Sequence, residues 1–94
     1  MDLGFEWDAG KAAENVRKHG VTFEEASTVF ADLLSLTIPD PRHSQGEARF
    51  AILGRSARGR LLAAFYTERG PRARIISARE ATRRERDTYE HGTF

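Results

Sequence analysis

The sequence predicts an α+β domain: two N-terminal helices, a four-stranded antiparallel sheet and a C-terminal helix, with the helices gathered on one face of the sheet. Three observations carry that expectation. Helix-start signals stand at Asp8, Thr22 and Thr82. Four segments of strand character follow one another between Leu33 and Arg79. The connections at Gly54 to Gly59 and at Gly70-Pro71 are short, which makes the last three strands an antiparallel meander. With 94 residues, the chain is sized for a single domain, residues 1–94, with one modest core.

Each element has a local reason. Phe5-Glu6-Trp7-Asp8 carries aromatics at alternate positions and ends on a residue that accepts hydrogen bonds from the first free amides of a helix. That helix covers about residues 9–19. Lys18 and His19 occupy its last turn, and Gly20 suits the left-handed position beyond it. Its apolar content is thin (Ala12, Ala13, Val16), which puts it on the surface. Thr22 with Glu25 forms a capping box, and Phe23, Ala26, Val29 and Phe30 form the stripe that docks the second helix. Leu33 to Ile38 reads as the first strand. Pro39-Asp40-Pro41 stops it, because neither proline can donate to a ladder. The second strand runs roughly from Ala48 to Leu53, the third from Arg60 to Glu68 and the fourth from Arg72 to Arg79. Thr82 with Glu85 is a second capping box, opening a densely charged helix that reaches about Glu90. Ala81, Tyr89 and arginine stems are its core contacts, so it leans on the sheet edge or on a partner.

Composition narrows the function. Apolar residues at 39% and charged residues at 31% suit a folded chain and exclude a disordered tail. The absence of cysteine excludes disulfides and a thiolate metal site. No apolar run approaches the ~18–20 residues that span a bilayer. The segment Met1 to Glu6 lacks a basic region followed by an apolar stretch, so no membrane partner and a cytoplasmic location are expected. The net charge of +1 hides a strong split. Residues 1–40 hold three basic side chains against eight acidic ones, whereas residues 41–94 hold twelve against six. Thirteen of the fifteen basic residues are arginine, whose planar fork pairs with phosphate at two points. The asymmetry points to a polyanionic partner.

Strand alternation assigns faces. Phe50 and Ile52 oppose Arg49, Ala51 and Leu53; Leu61, Ala63 and Phe65 oppose Leu62, Ala64 and Tyr66. Arg72, Arg74 and Ile76 oppose Ala73, Ile75, Ser77 and Arg79. With a three-residue last turn, Tyr66 lies opposite Arg74 and Glu68 opposite Arg72, and a tyrosine and two arginines share one surface; a four-residue turn changes the pairing, and the sequence does not fix the register. Such a surface suits RNA: arginine engages phosphate and an aromatic ring stacks on a base. Metal-independent RNA cleavage uses the 2′-hydroxyl as nucleophile and needs a proton acceptor, a proton donor and cations around the phosphorane. Arginine supplies the cations; His19, His43, Tyr66, Glu47 or Glu68 can share the proton work. His19, His43 and His91 have no metal-ligand spacing, and there is no Gly-rich phosphate loop, so neither a metal nor a cofactor is expected. A non-catalytic module that binds nucleic acid or protein within a regulatory complex is the alternative, since binding and cleavage need similar residues.

An ordered set of segments is similar to a known family. It comprises Phe5-Glu6-Trp7-Asp8 with Lys11 and Asn15, Lys18-His19-Gly20-Val21, Phe23-Glu24-Glu25-Ala26, Val29-Phe30 and Asp40. It continues with Gly46-Glu47, Arg49, Gly54, Gly59-Arg60 and Tyr66-Thr67-Glu68-Arg69. Arg74-Ile75-Ile76-Ser77-Ala78-Arg79, Ala81-Thr82, Glu85-Arg86 and Tyr89 close it. In this order the chain resembles the BrnT toxins of bacterial type II BrnT–BrnA toxin–antitoxin systems, over about residues 5–90. The resemblance implies a RelE-like ribonuclease fold and a toxin that halts translation by cutting RNA. It implies a BrnA-like ribbon–helix–helix antitoxin encoded next to it, and operator DNA reached through that complex. On this resemblance Arg49, Arg74 and Arg79 hold and stabilise the scissile phosphate. Tyr66 stacks or donates a proton, and Glu47 or His43 accepts one.

Overall fold

The computed structural model describes residues 4–40 and 46–92. In chain order the elements are β1 (Gly4–Glu6), α1 (Ala9–His19), α2 (Phe23–Thr28), a 3₁₀ turn (Val29–Ala31), β2 (Leu36–Pro39), β3 (Arg49–Arg55), β4 (Leu61–Arg69), β5 (Arg72–Glu80) and α3 (Arg83–His91). The cap signals act where the sequence put them. The Asp8 side chain accepts from the Lys11 N–H at 2.9 Å, and Gly20 closes α1 at φ +68°. Thr22 accepts from the Glu25 N–H at 3.0 Å, but the expected capping box is only half made, because the Glu25 carboxylate turns to Ser56 and Arg60 instead of the Thr22 amide. At α3 the capping box is reciprocal: Thr82 Oγ1 accepts from the Glu85 N–H at 3.1 Å, and Glu85 Oε1 accepts from the Thr82 N–H at 2.9 Å. No helix among the described residues is long and apolar enough to cross a membrane.

The sheet departs from the expected four antiparallel strands. It has five, in the order β1-β5-β4-β3-β2, and β1 runs parallel to β5. The residues that looked like a lead-in to a helix cap thus also make a three-residue strand. Its pairing partner lies 68 residues further on, beyond any local signal. The first expected strand is shorter at its start. Asp32 folds residues 32–35 into a turn, its Oδ1 accepting the Leu34 N–H at 2.9 Å and its carbonyl accepting the Ser35 N–H at 3.0 Å. Pro39 is the last residue of β2, so the strand stops where the prolines were expected to stop it. The Asp40 N–H donates inward to the Arg49 carbonyl at 2.7 Å, so by alternation the Pro39 nitrogen faces the outer edge, where no donor is required. Gly54 is part of β3 and not a turn residue. A Cβ there would stand 2.9 Å from Val29 Cγ1 and 3.1 Å from Ser35 Cβ, so the 3₁₀ turn packs on bare backbone.

Two features of β5 decide what shares a face. The Gly70-Pro71 connection holds two residues, because Arg69 pairs with Arg72, and Gly70 takes φ +58° at the turn's first central position. Tyr66 therefore pairs with Ile75, not Arg74, and turns to the opposite face from the arginine. Next, the register slips between Tyr66 and Phe65: Phe65 pairs with Ser77, which leaves Ile76 as a β-bulge. Strict alternation would send Arg74 and Arg79, five residues apart, to opposite faces. The extra residue turns Arg79 to the side that Arg74 occupies.

The main core lies between one face of the sheet and α1, α2 and the 3₁₀ turn. Phe23, Leu62, Ile75, Val21 and Val29 are its largest fully buried side chains. Tyr66 belongs to it, 8% exposed, stacked on Phe50 at 5.5 Å and edge-on to Phe30 at 4.9 Å. The helices are not confined to that side. Across the other face α3, through Tyr89, and Ala81 just before its cap pack over Leu53, Leu61 and Ala63. Tyr89 donates to Asp32 Oδ2 at 2.6 Å, pinning the end of α3 to the turn before β2.

The edge of β5 beyond its short pairing with β1 is closed by one side chain. Asn15 of α1, 5% exposed, accepts from the Ala78 N–H at 3.0 Å and donates to the Ala78 carbonyl at 2.8 Å and the Val21 carbonyl at 2.9 Å. It stands in for a missing strand. Asn15→Leu keeps the size but orphans one buried donor and two acceptors, at about 1–3 kcal/mol for each group left unsatisfied. Chemical denaturation is expected to show a loss of about 3 kcal/mol or more.

Candidate nucleic-acid interface

The face that α3 covers only in part carries the arginines in rows. One row crosses the sheet as Glu6, Arg74, Thr67 and Arg49, on β1, β5, β4 and β3. Arg74 and Arg49 thus flank Thr67, roughly 10 Å apart at two strand spacings. The next row holds Ser77, Phe65, Ala51 and Ile38, and the one after it Arg79, Ala63 and Leu53. Phe65 lies between the cationic rows. The Arg49 guanidinium carbon stands 5.6 Å from its ring centre and that of Arg79 5.4 Å, both within cation–π range. Phe65, not Tyr66, is the aromatic of this surface.

The arginines are held by carboxylates. Arg79 makes a two-point pair with Glu85, Nη1 to Oε1 at 2.7 Å and Nη2 to Oε2 at 3.1 Å. Because Glu85 also completes the cap of α3, helix and arginine are fixed together. The hydrogen bonds from Arg79 hold the Glu85 carboxyl below its ordinary range, against the cost of burial. Arg74 Nη1 donates to Glu6 Oε2 at 2.9 Å. Arg49 Nε lies 3.7 Å from Asp40 Oδ2. Glu47 sits at the rim, where it receives Arg69 Nε at 2.8 Å and Nη2 at 3.1 Å. The Thr67 hydroxyl, between Arg49 and Arg74, is buried with no hydrogen-bond partner among the described residues. Such an orphan costs free energy and is tolerated most readily where a ligand or water completes it.

Of the sequence candidates, Arg49, Arg74 and Arg79 come together, with Glu47 one row away. His43 lies outside the described residues. Tyr66 does not join them. Its side chain is sealed in the main core, and burial, with the nearby Glu68 charge, pushes its hydroxyl pKa up against a hydrogen bond with Thr37. A stacking or proton-donating role for Tyr66 on this face is therefore not retained. Sequence reasoning missed Phe65, Thr67, Asp40, Glu6 and the second role of Glu85. The signal for Phe65 was its alternation with Ala63 on the face opposite Tyr66. A concavity of about 490 Å³ lies elsewhere, between α1 and β5, lined by residues that include Lys11, Lys18, His19 and Ser77. There Glu14 already binds Lys18 at 3.1 Å, and Arg17 beside it at 2.9 Å.

No curated protein matches the chain in sequence. Among solved structures, it is similar to the crystal structure of the Brucella abortus ribonuclease toxin BrnT, with TM-score 0.67 and 21% identity. The match covers 87% of this chain and 100% of that one, and at this identity it speaks for the fold. The family model described as the ribonuclease toxin BrnT of type II toxin–antitoxin systems matches residues 7–85, most of the chain. On that match the chain belongs to the BrnT family of ribonuclease toxins.

Proposed function

We propose that the chain is a metal-independent RNA endonuclease that arrests translation and acts on the open sheet face around Phe65. The observation that carries this reading is the gathering of Arg49, Arg74 and Arg79 on one partly uncovered surface of a ribonuclease-toxin family member. A phosphodiester seated there meets guanidinium groups on both sides of an aromatic ring. In the reaction the 2′-oxygen attacks the adjacent phosphorus, and the bond to the 5′-oxygen breaks. The 2′-proton passes to Glu47 or His43, and the leaving 5′-oxygen takes a proton from solvent water at the open face. Arg49, Arg74 and Arg79 stabilise the charge that builds on the phosphorane, which is the largest contribution a fixed set of donors makes. The carboxylates now on these arginines keep the forks aimed until phosphate replaces them.

As a member of a toxin–antitoxin family the protein acts with an antitoxin. We take that partner to be a BrnA-like ribbon–helix–helix protein, which neutralises the toxin and brings the complex to operator DNA. The test is direct. Purified protein incubated with RNA in the presence of a chelator is expected to cut it as fast as without chelator. Products should end in 2′,3′-cyclic phosphate. Cleavage that stops on chelation, or a 3′-hydroxyl product, contradicts the mechanism.

A further inference from the structure

Two concavities lie along β2 on the side that α3 partly covers. One, on the arginine face, is lined by residues that include Ile38, Asp40, Phe65, Arg79 and Glu85. The other, about 370 Å³ in volume, lies between residues 33–36 and the end of α3 at residues 89–92. There Leu33 is 99% exposed and Leu34 71% exposed. Nothing in the fold asks for leucine there, because the turn is built by Asp32 and by backbone amides. Single exposed apolar residues are ordinary, but a contiguous apolar patch marks an interaction site. Leu36 and Ile38 carry the apolar line along β2 toward Phe65, on the same face of the sheet.

We propose that Leu33 and Leu34 anchor an apolar segment of the antitoxin, and that this segment continues along β2 to cover Phe65 and Arg79. The proposal rests on the toxin reading above. Three observations select this occupant. Membership of a type II toxin–antitoxin family supplies a protein partner for the chain. A second copy adding edge to edge along β2 is opposed by Pro39, which has no N–H to offer at the outer edge. The two concavities are also neighbours along β2: Leu36 to Pro39 spans roughly 10 Å, so about two helical turns or four extended residues bridge anchor and site. A partner seated this way silences the toxin by occupying the RNA site without unfolding it.

The full-length Leu33→Ser, Leu34→Ser double variant tests this. Both side chains lie in solvent, so the variant is expected to fold and to cut RNA at the wild-type rate. Its affinity for the purified antitoxin encoded beside the toxin gene, measured by calorimetry, is expected to fall about 100-fold or more, since two leucines lose their burial. Antitoxin should then fail to inhibit cleavage at concentrations that silence the wild type. Unchanged affinity overturns the proposal. So does a wild-type protein that sediments alone as a dimer while the variant sediments as a monomer, since the patch is then a contact between copies. If the wild type cuts no RNA at all, the nuclease reading fails while the affinity comparison still decides the docking site.

Discussion

Arg79→Ala is expected to lower RNA cleavage by about 10²- to 10³-fold in kcat, the scale for removing one preorganised donor from a developing oxyanion. Arg79 is the arginine that the bulge at Ile76 brings onto the working face, stacked on Phe65 and aimed by Glu85. Its fork is the functional element, so Arg79→Lys should recover only part of the loss. The fold should persist. The pair with Glu85 is partly exposed, its loss costs about 1 kcal/mol at most, and Glu85 retains its bond to the Thr82 amide. Rates measured on a short RNA, alongside a thermal melt of the same samples, check both halves. An alanine variant that cleaves normally removes Arg79 from the mechanism.

The second large effect is on stability. Glu25, with its side chain 4% exposed, accepts from Ser56 Oγ at 2.7 Å and Arg60 Nε at 3.0 Å. Arg60 also donates to the Gly20 carbonyl at 3.1 Å, so one partly buried pair ties α2, the end of α1 and the β3–β4 turn together. Glu25→Ala strips the Arg60 guanidinium of its two-point partner, leaving it Glu80 at 3.3 Å and the Gly20 carbonyl, and is expected to cost about 2 kcal/mol in urea unfolding. That is a large share of the roughly 5–15 kcal/mol available to a domain. The same pair sets a pH dependence. The hydrogen bond from Arg60 holds the Glu25 carboxyl below its ordinary range, more than offsetting the cost of burial. Asp32 is also lowered: burial raises it, but the Tyr89 hydroxyl and the Arg55 and Leu34 amides outweigh that. Groups with depressed folded pKa values stabilise the protein above the unfolded value and lose that contribution as pH falls through the folded one. Stability should therefore be flat near neutrality and decline below about pH 4.5, less steeply in the Glu25→Ala variant.

What could be read along the chain was what is decided locally. Asp8, Thr22 and Thr82 announced their helices because a cap is an interaction over three residues. The strands of the meander followed from turn residues and β-rich runs. Two features that create the candidate site are not local. The bulge at Ile76 depends on how β5 fits against β4 and where Asn15 grips Ala78, and no residue type marks it. One residue of turn length decided whether Tyr66 or Phe65 met the arginines, since a single step of register exchanges the faces. Arg49, Arg74 and Arg79 were therefore identifiable by type and density, but not their shared surface. Glu85 was legible as a capping residue; its grip on Arg79 emerges only once α3 crosses the sheet.

The most direct test is to map where RNA touches the protein. Amide NMR spectra recorded during titration with a 2′-deoxy analogue, which binds but cannot be cut, should shift at Arg49, Phe65, Thr67, Arg74 and Arg79. They should stay still at Ala12, Phe23 and Val29 on the helical side. Shifts centred on α1 and α2, with the arginine face silent, would show that RNA is handled elsewhere on the molecule.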